Sequence, residues 1–211
     1  MSGTPSDPLV DPSEEFLRRV DALGAVLETG RGSLPFALVH GEPLVACAAW
    51  ALGAAGVEAV DLGTPWEALV EDGRCLVLHD ALCPLTPPAF VVECVEQAEA
   101  HGAVVVGVRP VTDTVKALVA TPAGDDLGET VDRTSLRQVV SPVVLPPVVV
   151  ASLDGLPTTD LPRLATELAQ RFPVAVREAP AEARRVAGLD DVRLLEALTA
   201  APRRPRRPPG T

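Results

Sequence analysis

The chain is poor in aromatic side chains: only 3% of its 211 residues are Phe, Trp or Tyr, and Tyr is absent. Because 47% of the residues are nevertheless hydrophobic, the core has to be built from many small aliphatic contacts. Such a core suits parallel strands covered by helices. The length fits one α/β domain, or one domain with a small appendage.

Positive charge is also scarce, since 18 Lys and Arg face 29 Asp and Glu and give a formal net charge of −11. Most of the surface therefore repels nucleic acids and anionic membranes, and neither is an expected partner. No apolar run reaches the roughly 18 residues that cross a bilayer, and the first 15 residues are polar and acidic. These features predict a cytoplasmic protein.

The four cysteines form no Cys-x-x-Cys pair and have no His at zinc-ligand spacing; they are Cys47, Cys75, Cys83 and Cys94. They lie in or beside apolar segments. We interpret them as reduced core residues and predict no metal site of the zinc type.

Short β-branched runs alternate with amphipathic stretches through the first half of the chain. This alternation predicts an α/β fold with a doubly wound, mainly parallel sheet. The expected strands are 24–27, 57–62, 75–78, 103–108, 144–152 and 174–177, and the expected helices are 43–56, 87–101, 161–172 and 190–200, with Thr86 capping the second helix. Residues 111–139 contain two strand-forming runs around a turn-rich tip at 121–128, which predicts a protruding β-hairpin arm.

The two ends differ in composition from the rest of the chain. Residues 1–13 are polar without periodicity, and residues 202–211 combine Pro with four arginines. Neither can bury a core, so we predict disordered tails around one domain at 14–201. A solvated terminus is the simpler interpretation of the basic tail, and binding to an acidic partner or nucleic acid is the alternative.

Three segments carry the most specific signal: His79-Asp80-Ala81-Leu82-Cys83-Pro84-Leu85-Thr86-Pro87-Pro88, Arg109-Pro110-Val111-Thr112-Asp113-Thr114-Val115-Lys116 and Val131-Asp132-Arg133-Thr134-Ser135-Leu136. The first lies between a strand end and a helix start, where open α/β sheets bind ligands. In this order and spacing the segments resemble the 2-C-methyl-D-erythritol 4-phosphate cytidylyltransferase family.

The resemblance implies a Rossmann-like nucleotidyltransferase that joins CTP to methylerythritol phosphate and releases pyrophosphate in the presence of magnesium. It also implies a homodimer in which the arm exchanges between subunits and completes the substrate site. The implied substrate-binding residues are Asp80, Thr114, Arg133, Ser141 and Arg185, and the implied nucleotide-binding residues are Gly30 and Gly32. Arginine suits a phosphate dianion because it donates paired, charge-assisted hydrogen bonds.

The triphosphate half of the resembled site departs from the family pattern. Phe36 stands where the catalytic Lys is expected, Cys83 replaces an Arg, and Glu28 enters the path of the phosphates. Arg31 is the one candidate for a catalytic replacement. Lost cations and an added carboxylate oppose the charge of the transition state, so we predict weak or no activity.

The sequence leaves three functions open. The first is a cytidylyltransferase acting on a polyol phosphate, and the second is a non-catalytic dimeric paralogue that binds a phosphorylated ligand or regulates a partner. The third is an unrelated dinucleotide-binding domain, which would need a fuller Gly-x-Gly-x-x-Gly motif and an acidic residue at the next strand's end; only Asp61 suits the latter. His79 is expected to orient its loop by a hydrogen bond.

Overall fold

The computed structural model describes residues 19–122 and 124–200. The predicted disordered tails, 1–13 and 202–211, lie outside the described residues. The strands are β1 (Ala22–Leu27), β2 (Leu38–Val39), β3 (Glu42–Pro43), β4 (Val57–Ala59), β5 (Leu76–Asp80), β6 (Val104–Pro110), β7 (Val115–Thr121), β8 (Gly124–Val131), β9 (Arg137–Leu145) and β10 (Val174–Glu178). The α-helices are α1 (Leu44–Ala55), α2 (Trp66–Asp72), α3 (Pro88–His101), α4 (Pro147–Val150), α5 (Leu161–Ala169) and α6 (Leu189–Thr199).

A six-stranded sheet with the order β10-β6-β9-β5-β1-β4 forms the centre of the fold. All neighbours are parallel except β9, which runs antiparallel to both β5 and β6. Helices α1 and α3 pack on one face, and α2, α4 and α5 pack on the other. The predicted mainly parallel, doubly wound α/β sheet is therefore confirmed.

The central strands are apolar throughout because both of their faces are covered. Val104, Val105 and Val106 of β6, for example, are all buried, and they alternate between the two helical layers. This explains why small β-branched residues suffice for the core and why aromatic side chains are few.

Two local predictions were wrong, and one helix was missed. Residues 144–152 are not one strand, because β9 ends at Leu145, Pro146 follows it, and Pro147 begins the short helix α4. Helix α2 was not anticipated. Thr86 does not cap α3: the residue before that helix is Pro87, and the Thr86 hydroxyl donates to the Cys83 carbonyl at 2.9 Å.

The arm is a separate two-stranded sheet made of β7 and β8. The predicted hairpin is present, but its connection is tighter than the predicted tip at 121–128, since β7 ends at Thr121 and β8 begins at Gly124. Leu118 and Leu127 face each other across the two strands and are 69% and 76% exposed. The arm thus presents apolar surface to solvent.

A third apolar cluster joins α6 to the β2–β3 hairpin and to the loop after β5. Its buried members include Val39, Leu44, Leu82 and Leu195. His40 links the same parts by polar contacts, because its amide donates to Glu196 Oε1 at 2.7 Å and its ring lies 2.7 Å from the Thr199 hydroxyl. Among the helices of residues 19–122 and 124–200, none is long and apolar enough to cross a membrane.

Gly107 of β6 supplies a test of how closely β9 is packed. A Cβ atom at this position would lie 2.9 Å from the Ser141 carbonyl oxygen, so we expect Gly107→Ala to lower the free energy of unfolding by about 1–3 kcal/mol. Gly53 in α1 is the matched control, because an added Cβ there meets no atom within 4 Å and Ala favours the helix by roughly 0.5–1 kcal/mol. Urea denaturation should give opposite signs; equal effects would contradict the close approach.

Candidate functional site

Asp80 occupies the carboxyl end of β5 in the middle of the sheet and is only 3% exposed. Its Oδ1 accepts from Arg31 Nε at 2.6 Å and from the Leu82 amide at 3.0 Å. Its Oδ2 accepts from Arg31 Nη2 at 3.2 Å and from Arg185 Nε at 3.0 Å. One buried carboxylate therefore holds two guanidinium groups that lie far apart in the sequence.

Ser141 of β9 supports this carboxylate through the backbone. The Asp80 amide donates to Ser141 Oγ at 2.6 Å, and Ser141 is fully buried. Ser141 was expected to line the substrate site. The structure instead places its hydroxyl behind Asp80, where it fixes the end of β5, and it is not among the residues that line the adjoining cleft.

The environment of Asp80 favours its ionised form. Burial raises the pKa of the carboxyl, but hydrogen bonds from Arg31, from the Leu82 amide and from Arg185, together with the charge of Arg31, outweigh it and hold the pKa below the ordinary value. Two guanidinium groups on one carboxylate leave an excess of positive charge. That excess is suited to an anionic ligand.

A cleft of about 610 Å³ opens in front of this cluster. Its charged residues are Arg31, Arg137 and Arg185, with Asp80 and Asp160. The Nη atoms of Arg185 have no hydrogen-bond partner within the described residues, so they remain available as donors. The first residues of α5 also line the cleft, and helix N-termini favour anions.

A second cleft, of about 460 Å³, lies on the other side of Thr29. Glu28 and Asp61 line it, and its described lining includes no Lys or Arg. Gly30 and Gly32 shape the loop between β1 and the short 3₁₀ helix Leu34–Phe36, and both have left-handed backbone angles, with φ of 78° and 60°. The two clefts thus have opposite electrostatic character.

The predicted arm residues lie outside the Asp80 cluster. Thr114 and Arg133 are exposed on either side of the hairpin strands, and the Arg133 guanidinium donates to the Thr112 carbonyl. Neither residue lines the cleft of Arg31, Arg137 and Arg185, called the arginine cleft below, within the same chain. The structure therefore brings together Arg31, Asp80, Ser141 and Arg185, with Gly30 at the cleft edge, and leaves Thr114 and Arg133 apart from them.

The substituted family positions differ in their surroundings. Phe36 is 62% exposed, so a longer polar side chain such as Lys would fit there. Cys83 is fully buried, and burial raises the pKa of its thiol to about 12. An arginine at residue 83 would therefore have to displace core atoms before it could reach a ligand.

His79 is a core residue, and the expected loop-orienting hydrogen bond is not present. Burial lowers the pKa of its ring to about 4. Although the ring lies near the Cys83 backbone, neither of its nitrogens has a partner of normal hydrogen-bond geometry among the described residues. A neutral, enclosed imidazole has no access to a ligand.

The carboxylates of the cleft do not form a ready magnesium site. Both oxygens of Asp80 accept hydrogen bonds from arginines, and Asp160 caps α5 by accepting from the Arg163 amide at 2.9 Å. In the described part of the chain, no group of three or more His, Cys, Asp or Glu side chains could hold a metal ion. Magnesium that arrives with the phosphates of a nucleotide is a separate case, since Mg²⁺ is commonly bound by few protein ligands and substrate oxygens.

Sequence reasoning missed Arg137 and Thr159. Arg137 begins β9 at the base of the arm and lines the cleft. The Thr159 carbonyl accepts from Arg31 Nη2 at 3.2 Å. The arginine directly follows the Val131–Leu136 motif and could have been noticed, whereas no local signal marks a backbone carbonyl 128 residues away from its donor.

The fold and the polar cleft at the carboxyl ends of β1 and β5 define a nucleotidyltransferase-like α/β protein. The protein-family model for 2-C-methyl-D-erythritol 4-phosphate cytidylyltransferase matches residues 53–154. Curated enzymes of that name are similar over shorter segments: that of Saccharopolyspora erythraea is 42% identical over 76 residues, covering 36% of this chain and 33% of the relative. That of Rhodococcus jostii is 32% identical over 114 residues, covering 51% and 48%.

Solved structures extend the likeness in fold over most of the chain. The crystal structure of 2-C-methyl-D-erythritol 4-phosphate cytidylyltransferase from Thermus thermophilus aligns with a TM-score of 0.63 and 21% identity, covering 85% of this chain and 98% of that one. The chain is therefore similar to the 2-C-methyl-D-erythritol 4-phosphate cytidylyltransferase family in sequence over residues 53–154 and in fold over most of its length. In sequence, the chain spans a third to a half of the length of the curated relatives described above.

The Asp80 cluster predicts a pH-dependent contribution to stability. Asp80→Asn leaves Arg31 nearly buried without a counter-charge, so we expect a loss of about 3 kcal/mol in unfolding free energy at pH 7. Because the folded pKa of Asp80 is depressed, the wild-type advantage is fully present above the unfolded pKa of about 4 and is lost as the pH falls through the folded value. The measurement is urea denaturation from pH 7 to pH 3.

Asp190→Asn is the control, since Asp190 pairs with Arg193 at the surface with both side chains largely exposed, and such pairs contribute little. A difference between wild type and Asp80→Asn that stays constant over this pH range would contradict the ionised cluster.

Proposed function

We propose that the protein binds a small phosphorylated polyol in the arginine cleft and transfers a cytidylyl group from CTP weakly or not at all. The observation that carries the proposal is the contrast between the two clefts on either side of Thr29. One is lined by three arginines together with Asp80 and Asp160, and the described lining of the other has two carboxylates and no Lys or Arg.

The arginine cleft has the chemistry that a phosphate monoester requires. Arg185 offers unpaired guanidinium donors, and Arg137 offers donors beyond its Nη1 bonds to the Thr134 and Leu136 carbonyls, both at 2.8 Å. Asp80 orients Arg31 and Arg185, and the hydroxyls of Thr158 and Thr159 suit a polyol. Charge-assisted hydrogen bonds of this kind are the strong ones in proteins.

The opposite cleft lacks what a triphosphate requires. Glu28 and Asp61 repel phosphates there. Phe36 is exposed but does not line this cleft, and it supplies no charge at the position where the resembled family has its catalytic Lys. Cytidylyl transfer needs preorganised cations around the α-phosphate, and the loss of one such donor typically slows a reaction about 10²–10³-fold. An enzyme retaining full activity is the alternative, and it would need Arg31 to leave Asp80 and contact the nucleotide.

We also propose that the protein is cytoplasmic. All four cysteines are free thiols, and Cys75, Cys83 and Cys94 are buried. Unpaired thiols persist in a reducing compartment.

Calorimetry with 2-C-methyl-D-erythritol 4-phosphate and with CTP, each with and without magnesium, tests the ligand preference. We expect the polyol phosphate to bind more tightly. Arg185→Gln should weaken its binding about tenfold or more, because hydrogen bonds to charged groups contribute about 1.5–3 kcal/mol. Arg184→Gln is the matched control, since Arg184 is adjacent in sequence but does not line the cleft.

Tighter, magnesium-dependent binding of CTP would reverse the proposed preference. A pyrophosphate-release assay on the same preparation provides a second readout: turnover of about 1–10 per second, an ordinary enzymatic rate, would contradict weak activity. If activity is low, Phe36→Lys should raise it, because that position is exposed. Cys83→Arg is unsuitable for this purpose, because that position is fully buried.

We also propose that two copies pair through the arm, with Thr114 and Arg133 reaching the partner's cleft. An isolated two-stranded hairpin is marginally stable in water, and the facing Leu118 and Leu127 are the most exposed large apolar residues in the described part of the arm. A second copy would cover them and bring Arg133, which lies outside its own chain's cleft, to a phosphate.

Deleting residues 117–130, or changing both Leu118 and Leu127 to Asp, should convert dimers to monomers in sedimentation experiments. The control is Leu198→Asp, which places the same charge on an exposed leucine of α6, away from the arm. An arm deletion that keeps the sedimentation mass of the wild type would refute pairing through the arm.

A further inference from the structure

The geometry points to an apolar groove on the surface of α1 as the docking site of the chain's own Pro/Arg-rich segment, residues 201–211. The groove has a volume of about 470 Å³ and lies between α1 and the loop that precedes α3. Its lining includes Glu42, Cys47, Trp50, Pro84, Leu85 and Pro87. This surface belongs to neither of the two clefts described above.

Trp50 is the main feature of the groove. Its side chain is 65% exposed, which is unusual for one of only two tryptophans in a chain with 3% aromatic residues. With Ala46 one helical turn before it, Trp50 forms a flat apolar wall, and the prolines of the 84–88 loop form the opposite wall. Aromatic-lined grooves are the sites at which proteins bind polyproline II segments.

The segment 201–211 has the sequence that such a groove accepts. Its residues Pro202, Pro205 and Pro208 recur at every third position, with pairs of arginines between them. A polyproline II helix has three residues per turn, so in that conformation these prolines would share one side and the arginines would project from the others. The proline side matches the apolar walls, and the arginines suit the exposed carboxylate of Glu42 and the face of the Trp50 indole.

The last described residues, Thr199 and Ala200, lie close to one end of the groove, where the segment 201–211 would begin. Helix α6 ends at Thr199, whose hydroxyl lies 2.7 Å from the ring of His40. His40 is only two residues before Glu42, which lines the groove. Ala200 leaves the helix with φ −63° and ψ 128°, angles close to those of polyproline II. Cys47 and Leu85, which line the groove, also pack against the apolar cluster that holds α6.

The reach of the segment is sufficient. From the first turn of α1 to Trp50 the groove extends about 10 Å along the helix. Eleven residues in polyproline II conformation span about 34 Å, at about 3.1 Å per residue. Docking within one chain also raises the local concentration of the segment, so modest contacts suffice for occupancy.

Acrylamide quenching of Trp50 fluorescence tests the inference. In a Trp66→Phe background, which leaves Trp50 as the single tryptophan, we expect quenching in the full chain to be about twofold lower than in a chain ending at residue 200, because docking covers one face of the indole. A synthetic peptide of residues 201–211 should restore the protection to the shortened protein.

A proline variant and its control separate docking from nonspecific attraction. Changing Pro202, Pro205 and Pro208 together to Ala should make the full chain behave like the shortened one. Pro209→Ala should leave the quenching unchanged, because Pro209 lies off the three-residue repeat. Circular dichroism of each variant checks that the fold is intact, so a loss of protection is attributable to the groove.

Two results would overturn the inference. Equal quenching of the full and shortened chains would show that the segment leaves Trp50 uncovered. Protection that rises with protein concentration, from micromolar to tens of micromolar, would show that a second copy covers the groove, since docking within a chain is independent of concentration.

Discussion

The salt bridges of Asp80 to Arg31 and Arg185 are the contacts on which the rest of the site depends. Each arginine comes from a different part of the chain, one from the loop after β1 and one from the segment before α6. A buried carboxylate without them would be costly, and the arginines without the carboxylate would repel each other. Among the described residues, Asp80 is the acidic partner of both arginines. The site therefore forms only when the fold brings these three distant residues together.

This arrangement separates charge across the first strand. On one side of Thr29, Asp80 holds the guanidinium groups of Arg31 and Arg185 at the cleft. On the other side, Glu28 and Asp61 make the cleft negative. A nucleotide and a polyol phosphate joined in one reaction need cations on both sides. Among the residues that the structure describes, Lys and Arg line the cleft on one side only.

Much of the fold could be predicted, because runs of small β-branched residues alternate with helical periodicity and both signals are local. The boundary between β9 and α4 could not be predicted from periodicity. Residues 139–150 form a nearly continuous valine-rich stretch, and only the two prolines at 146 and 147 end the strand. Asp80 and Arg185 were identified as site residues through family motifs. The pairing of Arg31 with Asp80 was not, since it joins residues 49 positions apart and leaves no pattern in the sequence.

Strand β9 connects the arm to the centre of the site. It begins with Arg137 in the cleft, continues from the arm, and reaches Ser141, which holds the Asp80 amide. From Arg137 to Val139 the strand pairs with β6 alone, and it pairs with both β5 and β6 only from Val143. The arm is thus joined to the cleft through the less constrained end of β9. If a partner on the arm shifts Arg137 and so changes ligand affinity, thermodynamic reciprocity requires the ligand to change the partner's affinity by the same factor.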